Sequence, residues 1–334
     1  MKTKQLVSII VTGLVIIVVG ITGVASNILK EKLAPSKSAI SGFLNLVGSS
    51  EMTLPEDEFV GLIRIEGEIG PTSYDVWGME TEGYQHDLYM NYIEQLMYSD
   101  ENQGIMLYVD TPGGTVYETD ELYLKLMEYK EATGRPVWAY FATEACSGGY
   151  YISMAADKIY ANRNCWTGSI GVIVSLMDCS ELLDKIGVEM VDITSGVNKA
   201  IGSAAKEMTA EQRAILQELV DESFDQFVQV VCEGRDLDEA TVRKLADGRI
   251  YSALQAKEHG LIDEIGSFEE AGWAFMEEED ISHHVQYHEP VSSTANFLGE
   301  LFSAAAELRP KSELDLAKEL MENGGNGVLK YYAK

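Results

Sequence analysis

The stretch PVWAYFATEACSGGYYISMAA, residues 136–156, predicts a strand, a tight turn and a helix in immediate succession. The apolar run 136–140 is strand-like, and the run 150–156 is helix-like. Ser147 lies in the turn between them, just before two glycines. A serine at a helix start is exposed and lies in a favourable dipole field, as a nucleophile requires, although an ordinary capping turn has the same sequence.

The base that would activate this serine is not a histidine. No histidine lies between His86 and His259, so another side chain must remove the proton from Ser147. The best candidate is Lys199, in a loop of Gly, Ser and Asn that follows a predicted strand at 188–193. A lysine acts as a base only if its ammonium form is destabilised, as burial in an apolar pocket does. Taken alone, Lys199 is explained equally well as a solvated lysine; together with Ser147 it suggests a serine/lysine hydrolase.

Two glycines at strand ends are candidate donors to the oxyanion of an acyl-transfer reaction. The segment TPGGTV (111–116) follows the predicted strand 105–109, at the carboxyl end where α/β sites form. Gly114 N–H is the first candidate donor and Gly148 N–H the second, because acyl transfer needs donors aimed at developing negative charge. Ser169, in the turn GSIGVI, is a candidate for orienting the lysine amine through a hydrogen bond. Each of these turns also has an ordinary structural explanation.

Strands and helices alternate along the chain, which predicts βαβ units with parallel pairing in an α/β fold. The predicted strands are 59–65, 104–109, 136–141, 158–161 and 188–193. The predicted helices are 87–97, 120–131, 150–156, 209–233, 238–245 and 253–259. Thr209 is the predicted N-cap of the longest helix and Gly234 its predicted end, while Ser252 is the predicted cap of the last helix.

The composition limits the partners of the protein. Its 334 residues, of which 46% are hydrophobic, are enough for one large core. A formal net charge of -29 argues against a nucleic-acid partner, because phosphate backbones are bound by clustered Lys and Arg. The four cysteines share no C-x-x-C spacing, and His283, His284 and His288 have no carboxylate or cysteine at metal-ligand spacing. We therefore predict no metal and no cofactor.

The N-terminal segment predicts a membrane anchor. Residues 6–29 carry no charge and are dense in Ile, Val and Leu, and this length spans a bilayer. A cleaved signal peptide is the competing interpretation, but its apolar region is usually shorter. We predict a single-pass protein of the cell membrane with a cytoplasmic head (1–5), a transmembrane anchor (6–26), a stalk (27–56), an extracytoplasmic catalytic domain (57–291) and a C-terminal helical segment with a flexible tail (292–334).

A set of motifs in a fixed order resembles the signal peptide peptidase A family of serine/lysine proteases. The motifs are DTPGG (110–114), SGGYY (147–151), TGSIGV (167–172), Lys199, ADGRIY (246–251) and GLIDEIG (260–266), and the resemblance covers roughly residues 58–275. By this resemblance Ser147 is the nucleophile, Lys199 the general base and Gly114 an oxyanion donor. Ser169 is the residue that positions the lysine.

The resemblance also implies a fold, an assembly and a substrate. It implies a Clp protease/crotonase-like fold of repeated ββα units, in the short single-domain bacterial form of the family. It implies membrane-anchored homo-oligomers shaped as rings or domes, with the octamer as the size the family suggests, in which neighbouring protomers complete the binding groove. It implies a serine endopeptidase that degrades apolar peptides, namely signal peptides left after preprotein cleavage, through an acyl-enzyme.

Two other functions remain open at this level. A crotonase-like acyl-CoA enzyme would share the glycine-lined oxyanion chemistry but needs neither a serine/lysine pair nor an anchor. A catalytically silent membrane scaffold is the third hypothesis. The C-terminal residues 328–334, which follow a glycine-rich hinge, are either a disordered terminus or a peptide that enters an active-site groove as regulator or self-substrate.

Overall fold

Three long parallel strands organise the protein, whose computed structural model describes residues 54–72 and 83–290. These strands are β1 (Phe59–Glu66), β2 (Asn102–Thr111) and β3 (Val137–Cys146), and they are connected through helices α1 (His86–Tyr98) and α2 (Val116–Thr133). β2 pairs in parallel with both neighbours, so that Leu107 lies between Ile63 and Ala139. Parallel neighbours need such crossover helices. The predicted α/β class and parallel pairing are confirmed.

Strand β3 divides the sheet into two branches. Its first half pairs with β4 (Lys158–Ala161), and its last three residues pair with β5 (Trp166–Gly168). The sheet is completed by β6 (Ile250–Ser252), which is antiparallel to β5, by β7 (Glu264–Ile265) beside β4 and by β8 (Gln286–His288) beside β1. The two branches diverge at the end of β3. There the chain leaves the sheet and passes through one residue, Ser147, into the next helix.

Both faces of the sheet are covered, as expected for parallel strands. Ile63 and Ile65 of β1 pack with the cluster that includes helices α1 and α2, whereas Val60 and Leu62 pack on the opposite face. The second face is covered by α8 (Phe268–Glu278), where Phe275 meets Trp138 edge to face. Successive residues of β1 are therefore buried on alternate sides of the sheet, except that Arg64 is only partly buried and Glu66 is exposed.

Four of the remaining helices lie close to predicted positions, and one, at Ser180–Ile186, was not predicted. The five are α3 (Gly148–Ile152) followed by a short 3-10 turn, α4 (Ser180–Ile186), α5 (Ala210–Arg235), α6 (Glu239–Leu245) and α7 (Ala253–Glu258). The predicted caps Thr209 and Ser252 are confirmed, since each forms a complete capping box. The predicted end of the long helix at Gly234 is wrong by one residue, because Asp236 supplies the left-handed C-cap after Arg235.

Residues 173–209, which we call the open segment, differ from the rest of the described chain. The strand predicted at 188–193 is wrong, because this stretch has no hydrogen-bonded neighbour strand among the described residues. Ile193 is 98% exposed and Met177 is 74% exposed. An apolar run forms a buried strand only where it pairs with a sheet edge and is covered by a second layer, and among the described residues 188–193 does neither.

The predicted anchor at 6–26 and the C-terminal segment 292–334 lie outside the described residues. Among residues 54–72 and 83–290, none of the helices combines the length and the apolar character needed to cross a bilayer.

Candidate active site

Ser147 lies at the junction between the branched strand and helix α3. It has φ 51° and ψ -116°, a combination that a residue with a side chain seldom adopts. Its N–H donates to Gly168 O at 2.8 Å, and its carbonyl accepts from Tyr151 N at 2.9 Å, so both backbone groups are fixed. Such a backbone costs about 1–3 kcal/mol and persists only where the surroundings enforce it. The turn therefore presents the serine side chain in a defined direction.

The loop after β2 packs directly against this turn. A Cβ atom at Gly113, which has φ 105°, would lie 2.8 Å from both Ser147 Cβ and Gly148 N. The loop is held in place by Ile69, whose N–H donates to Gly113 O and whose carbonyl accepts from Thr115 N, each at 2.9 Å. Only glycine fits at position 113, and the close approach brings two strand ends into one site.

Ser147, Gly114 and Gly148 line one cavity of about 90 Å³. The structure thus brings the predicted nucleophile and both predicted oxyanion donors together. The walls of this Ser147 cavity are mainly apolar and come from α2, α3, α5 and the chain after β5: Val116, Thr119, Tyr151, Val172, Ile173 and Phe227. Backbone N–H groups beside a fixed hydroxyl in an apolar cavity suit acyl transfer, because they stabilise negative charge most strongly where water is excluded.

The other two predicted site residues lie elsewhere in the described chain. Lys199, in the open segment, is exposed and is not among the residues that line the Ser147 cavity. Its N–H donates to Gly196 O at 3.1 Å within a local turn. Ser169 is half-buried with φ 49°, and its N–H donates to Arg249 O at 2.8 Å. Within one chain, the pairing of Lys199 with Ser147 stays a prediction.

A hydrogen-bonded group that sequence reasoning missed fixes Tyr151 in the wall of the cavity. Tyr151 OH donates to Asp120 Oδ1 at 2.6 Å, and Gln226 Nε2 donates to the same carboxylate at 2.8 Å. Burial and the Asp120 carboxylate both raise the pKa of Tyr151, so that its hydroxyl stays a donor. These contacts tie α2, α3 and α5 together. No local pattern indicates them, because the three residues come from three separate helices.

Cys146, next to the candidate nucleophile, is chemically different from it. Burial, together with the nearby Glu144, raises the pKa of the Cys146 thiol to about 11. Its Sγ lies 3.6 Å from Trp166 O inside the sheet. A thiol that is protonated at neutral pH is a weak nucleophile, so this cysteine does not offer an alternative to the serine.

Comparisons with known proteins agree with this geometry. Peptidase family S49 matches residues 129–282. The chain is 35% identical over 249 residues to a protein of Enterococcus faecium named "Putative signal peptide peptidase SppA", and the match covers 72% of each chain. The chain belongs to the signal peptide peptidase A family. As a member of this S49 peptidase family, it is a serine peptidase.

Other similar proteins match a shorter region of the chain. A Synechocystis protein named "Putative protease slr0021" is 43% identical over 171 residues, which are 51% of this chain and 61% of that protein. "Protease 4" of Haemophilus influenzae is 36% identical over 169 residues, which are 51% of this chain and 27% of that protein. The mixed sheet of the described residues fits the Clp protease-like fold expected for S49 peptidases.

Proposed function

We propose that this S49 peptidase is a membrane-anchored endopeptidase with a Ser147/Lys199 dyad that degrades apolar peptides, chiefly signal peptides released during preprotein processing. The observation that carries the proposal is the convergence of Ser147, Gly114 and Gly148 in one cavity at the end of β3. The names of the relatives from Enterococcus faecium and Haemophilus influenzae support the reaction and the substrate class. The uncharged segment 6–29 supports the anchor, with the peptidase domain outside the membrane.

In the proposed reaction, Ser147 Oγ attacks a peptide carbonyl while Lys199 Nζ accepts the hydroxyl proton. The carbonyl oxygen becomes an oxyanion that accepts hydrogen bonds from Gly114 N–H and Gly148 N–H. Lys199 then gives its proton to the leaving amine, and an acyl-enzyme remains on Ser147. Water, deprotonated by the same lysine, releases the acyl group. Ser169 Oγ accepts a hydrogen bond from the lysine amine and holds it in place.

We further propose that the protein is a homo-oligomer in which a neighbouring copy supplies Lys199. The open segment exposes a row of large apolar side chains, with Ile173 81%, Val191 73% and Val197 87% exposed. Apolar surface of this extent marks an interaction site. A copy that covers it would both remove these side chains from water and bury Lys199, which is the condition for a lysine to act as a base.

The proposal is tested by mixing two inactive variants. We expect Ser147→Ala and Lys199→Ala each to reduce cleavage of an apolar signal-sequence peptide by at least about 10³-fold, because the dyad acts as a unit. If the dyad forms between copies, co-expressed Ser147→Ala and Lys199→Ala chains regain a fraction of wild-type turnover. The measurement is peptide cleavage by the full chain in detergent.

The matched control is Lys185→Ala, since Lys185 lies on the same open segment in an exposed pair with Glu181. This variant should retain wild-type turnover. Full activity of Lys199→Ala would contradict the assigned base. Failure of the mixed variants to recover activity would indicate a dyad within one chain, and wild-type protein without peptide turnover would favour an acyl-CoA enzyme or a scaffold.

A further inference from the structure

One buried hydroxyl in the Ser147 cavity has no hydrogen-bond partner among the described residues. Thr119, on α2, is 4% exposed, and its Oγ1 is unpaired. Its own backbone N–H donates to Thr115 O at 3.3 Å, but its hydroxyl does not make the common bond to that carbonyl. An unpaired buried hydroxyl is costly, so native proteins rarely keep one without a reason.

The hydroxyl lies beside the residue that follows the nucleophile. A Cβ atom at Gly148 would be 2.6 Å from Thr119 Oγ1, 3.3 Å from Gly114 N and 3.3 Å from Ile69 Cδ1. Thr119 Oγ1 therefore packs on the bare Cα of Gly148, on the side from which Gly114 N also approaches. A peptide whose carbonyl oxygen lies in the candidate oxyanion site would place the side chain of the attacked residue next to this hydroxyl.

The surroundings of the hydroxyl limit what can reach it. The nearby walls are the apolar side chains Val116, Val172 and Phe227, and the cavity has a volume of about 90 Å³. This volume is far below the several hundred Å³ of a site for a drug-sized ligand, and it suits one short side chain. In apolar sites a small number of placed polar groups fixes the specificity. Here the hydroxyl of Thr119 is a buried polar group that has no hydrogen-bond partner among the described residues.

We propose that Thr119 is a specificity-determining residue, whose hydroxyl hydrogen-bonds the hydroxyl of a serine side chain at the substrate position attacked by Ser147. The inference rests on the proposed peptidase function and adds a preference at one substrate position. A serine hydroxyl both donates and accepts, so it pairs with Thr119 Oγ1 whichever of the two roles that atom takes. An apolar side chain of the same shape leaves that hydroxyl unpaired, and such sites reject analogues that lack the polar group.

The test uses three peptides that are identical except at the attacked residue, which is serine, alanine or α-aminobutyrate. The last has a methyl group where serine has its hydroxyl. We expect the full-length wild type in detergent to prefer serine over α-aminobutyrate by about fivefold to tenfold in kcat/KM, the ratio that one neutral hydrogen bond gives. Thr119→Val should bring the ratio to about one, and Thr119→Ser should retain the preference.

Thr133→Val is the matched control, because Thr133 lies on the same helix with its hydroxyl bonded to Tyr129 O at 2.7 Å. It should keep the wild-type ratio. An unchanged ratio in Thr119→Val, or an equal loss for all three peptides, would overturn the assigned role; the latter would indicate contact with the oxyanion instead. Failure of the proposed function looks different, since the wild type itself would then cleave none of the peptides.

Discussion

The turn that carries Ser147 and the segment that carries Lys199 differ in how much of their structure the chain itself provides. Around Ser147, the backbone is held on both sides and the strands β1, β2 and β3 are buried on both faces. The open segment has one short helix, α4, in which no residue is buried. The contrast teaches that the turn with Ser147 is fixed by contacts within one chain, whereas the segment with Lys199 has few such contacts among the described residues.

The same substitution in the two regions should separate them most clearly. Ile63 is fully buried in β1, and Ile63→Ala should lower the free energy of unfolding by about 2–5 kcal/mol, because it leaves a cavity in the core. Ile193→Ala should change the stability of the isolated subunit by less than about 0.5 kcal/mol, since the side chain is already in water. Urea unfolding of both variants at one protein concentration measures the difference.

A charged variant extends this comparison to assembly. Ile193→Asp should shift the oligomer toward smaller species in sedimentation experiments and lower peptide turnover, because a carboxylate would be buried between copies. If Ile193→Asp assembled and cleaved like wild type, the open segment around Ile193 would not be an interface, and the contrast between the two regions would lose its functional meaning.

A partly buried ion pair offers a second test of the claim that the Ser147 region is held by its own contacts. Arg235, at the end of α5, donates to both oxygens of Asp263 at 2.7 and 2.9 Å, and Asp263 also accepts from Ile159 N of β4. Asp263→Asn should lower the free energy of unfolding by about 3 kcal/mol, because the Arg235 charge is left buried without its counter-ion. Glu264→Gln, in an exposed pair with Lys257, is the control and should cost less than about 1 kcal/mol.

The same pair predicts a dependence on pH. Burial tends to raise the pKa of Asp263, but hydrogen bonds and charge from Arg235 outweigh it and hold the pKa below its ordinary value. A carboxylate with a lowered folded-state pKa stabilises the protein above the unfolded-state pKa of about 3.9, and this stabilisation is lost as the pH falls through the lower value. The difference in unfolding free energy between wild type and Asp263→Asn should therefore begin to shrink as the pH falls below about 4 and keep shrinking as the pH passes through the folded-state pKa. A constant difference between pH 7 and pH 3 would contradict this account.

The part of the site that the sequence predicted well is the part governed by local rules. Strand ends in a parallel sheet meet at one edge, so the glycine loop before Gly114 and the turn at Ser147 were expected together, and they share one cavity. The run 188–193 misled, because its apolar residues are typical of a buried strand, whereas in the described chain it pairs with no strand of the sheet and stays exposed. Thr119 carried no signal, since its unpaired hydroxyl depends on the close approach of Gly148 from another helix, α3.

The smallest expected effect concerns the start of α5, which lies between the open segment and the packed region around Ser147. Thr209 caps α5 where the open segment ends, and Ser267 caps α8 with the same capping box against the sheet. Ser267→Ala should lower the global free energy of unfolding by about 1 kcal/mol, the ordinary value of a helix cap. In α5 the buried residues begin only at Phe227, so the first turns of this helix have little core contact in a single chain.

Thr209→Ala should therefore fray α5 locally and leave the global unfolding of an isolated subunit nearly unchanged, because local opening and global unfolding are separate events. Amide hydrogen exchange would show faster exchange confined to the first turns after 209 in Thr209→Ala, with the slowest amides of β2 unaffected. In the assembled protein those turns would be covered by a neighbour, and the same substitution would then lower the stability by the full value of a cap. An equal loss in dissociated and assembled protein would mean that the start of α5 already belongs to the core of one chain, and that the boundary between the two regions lies before Thr209.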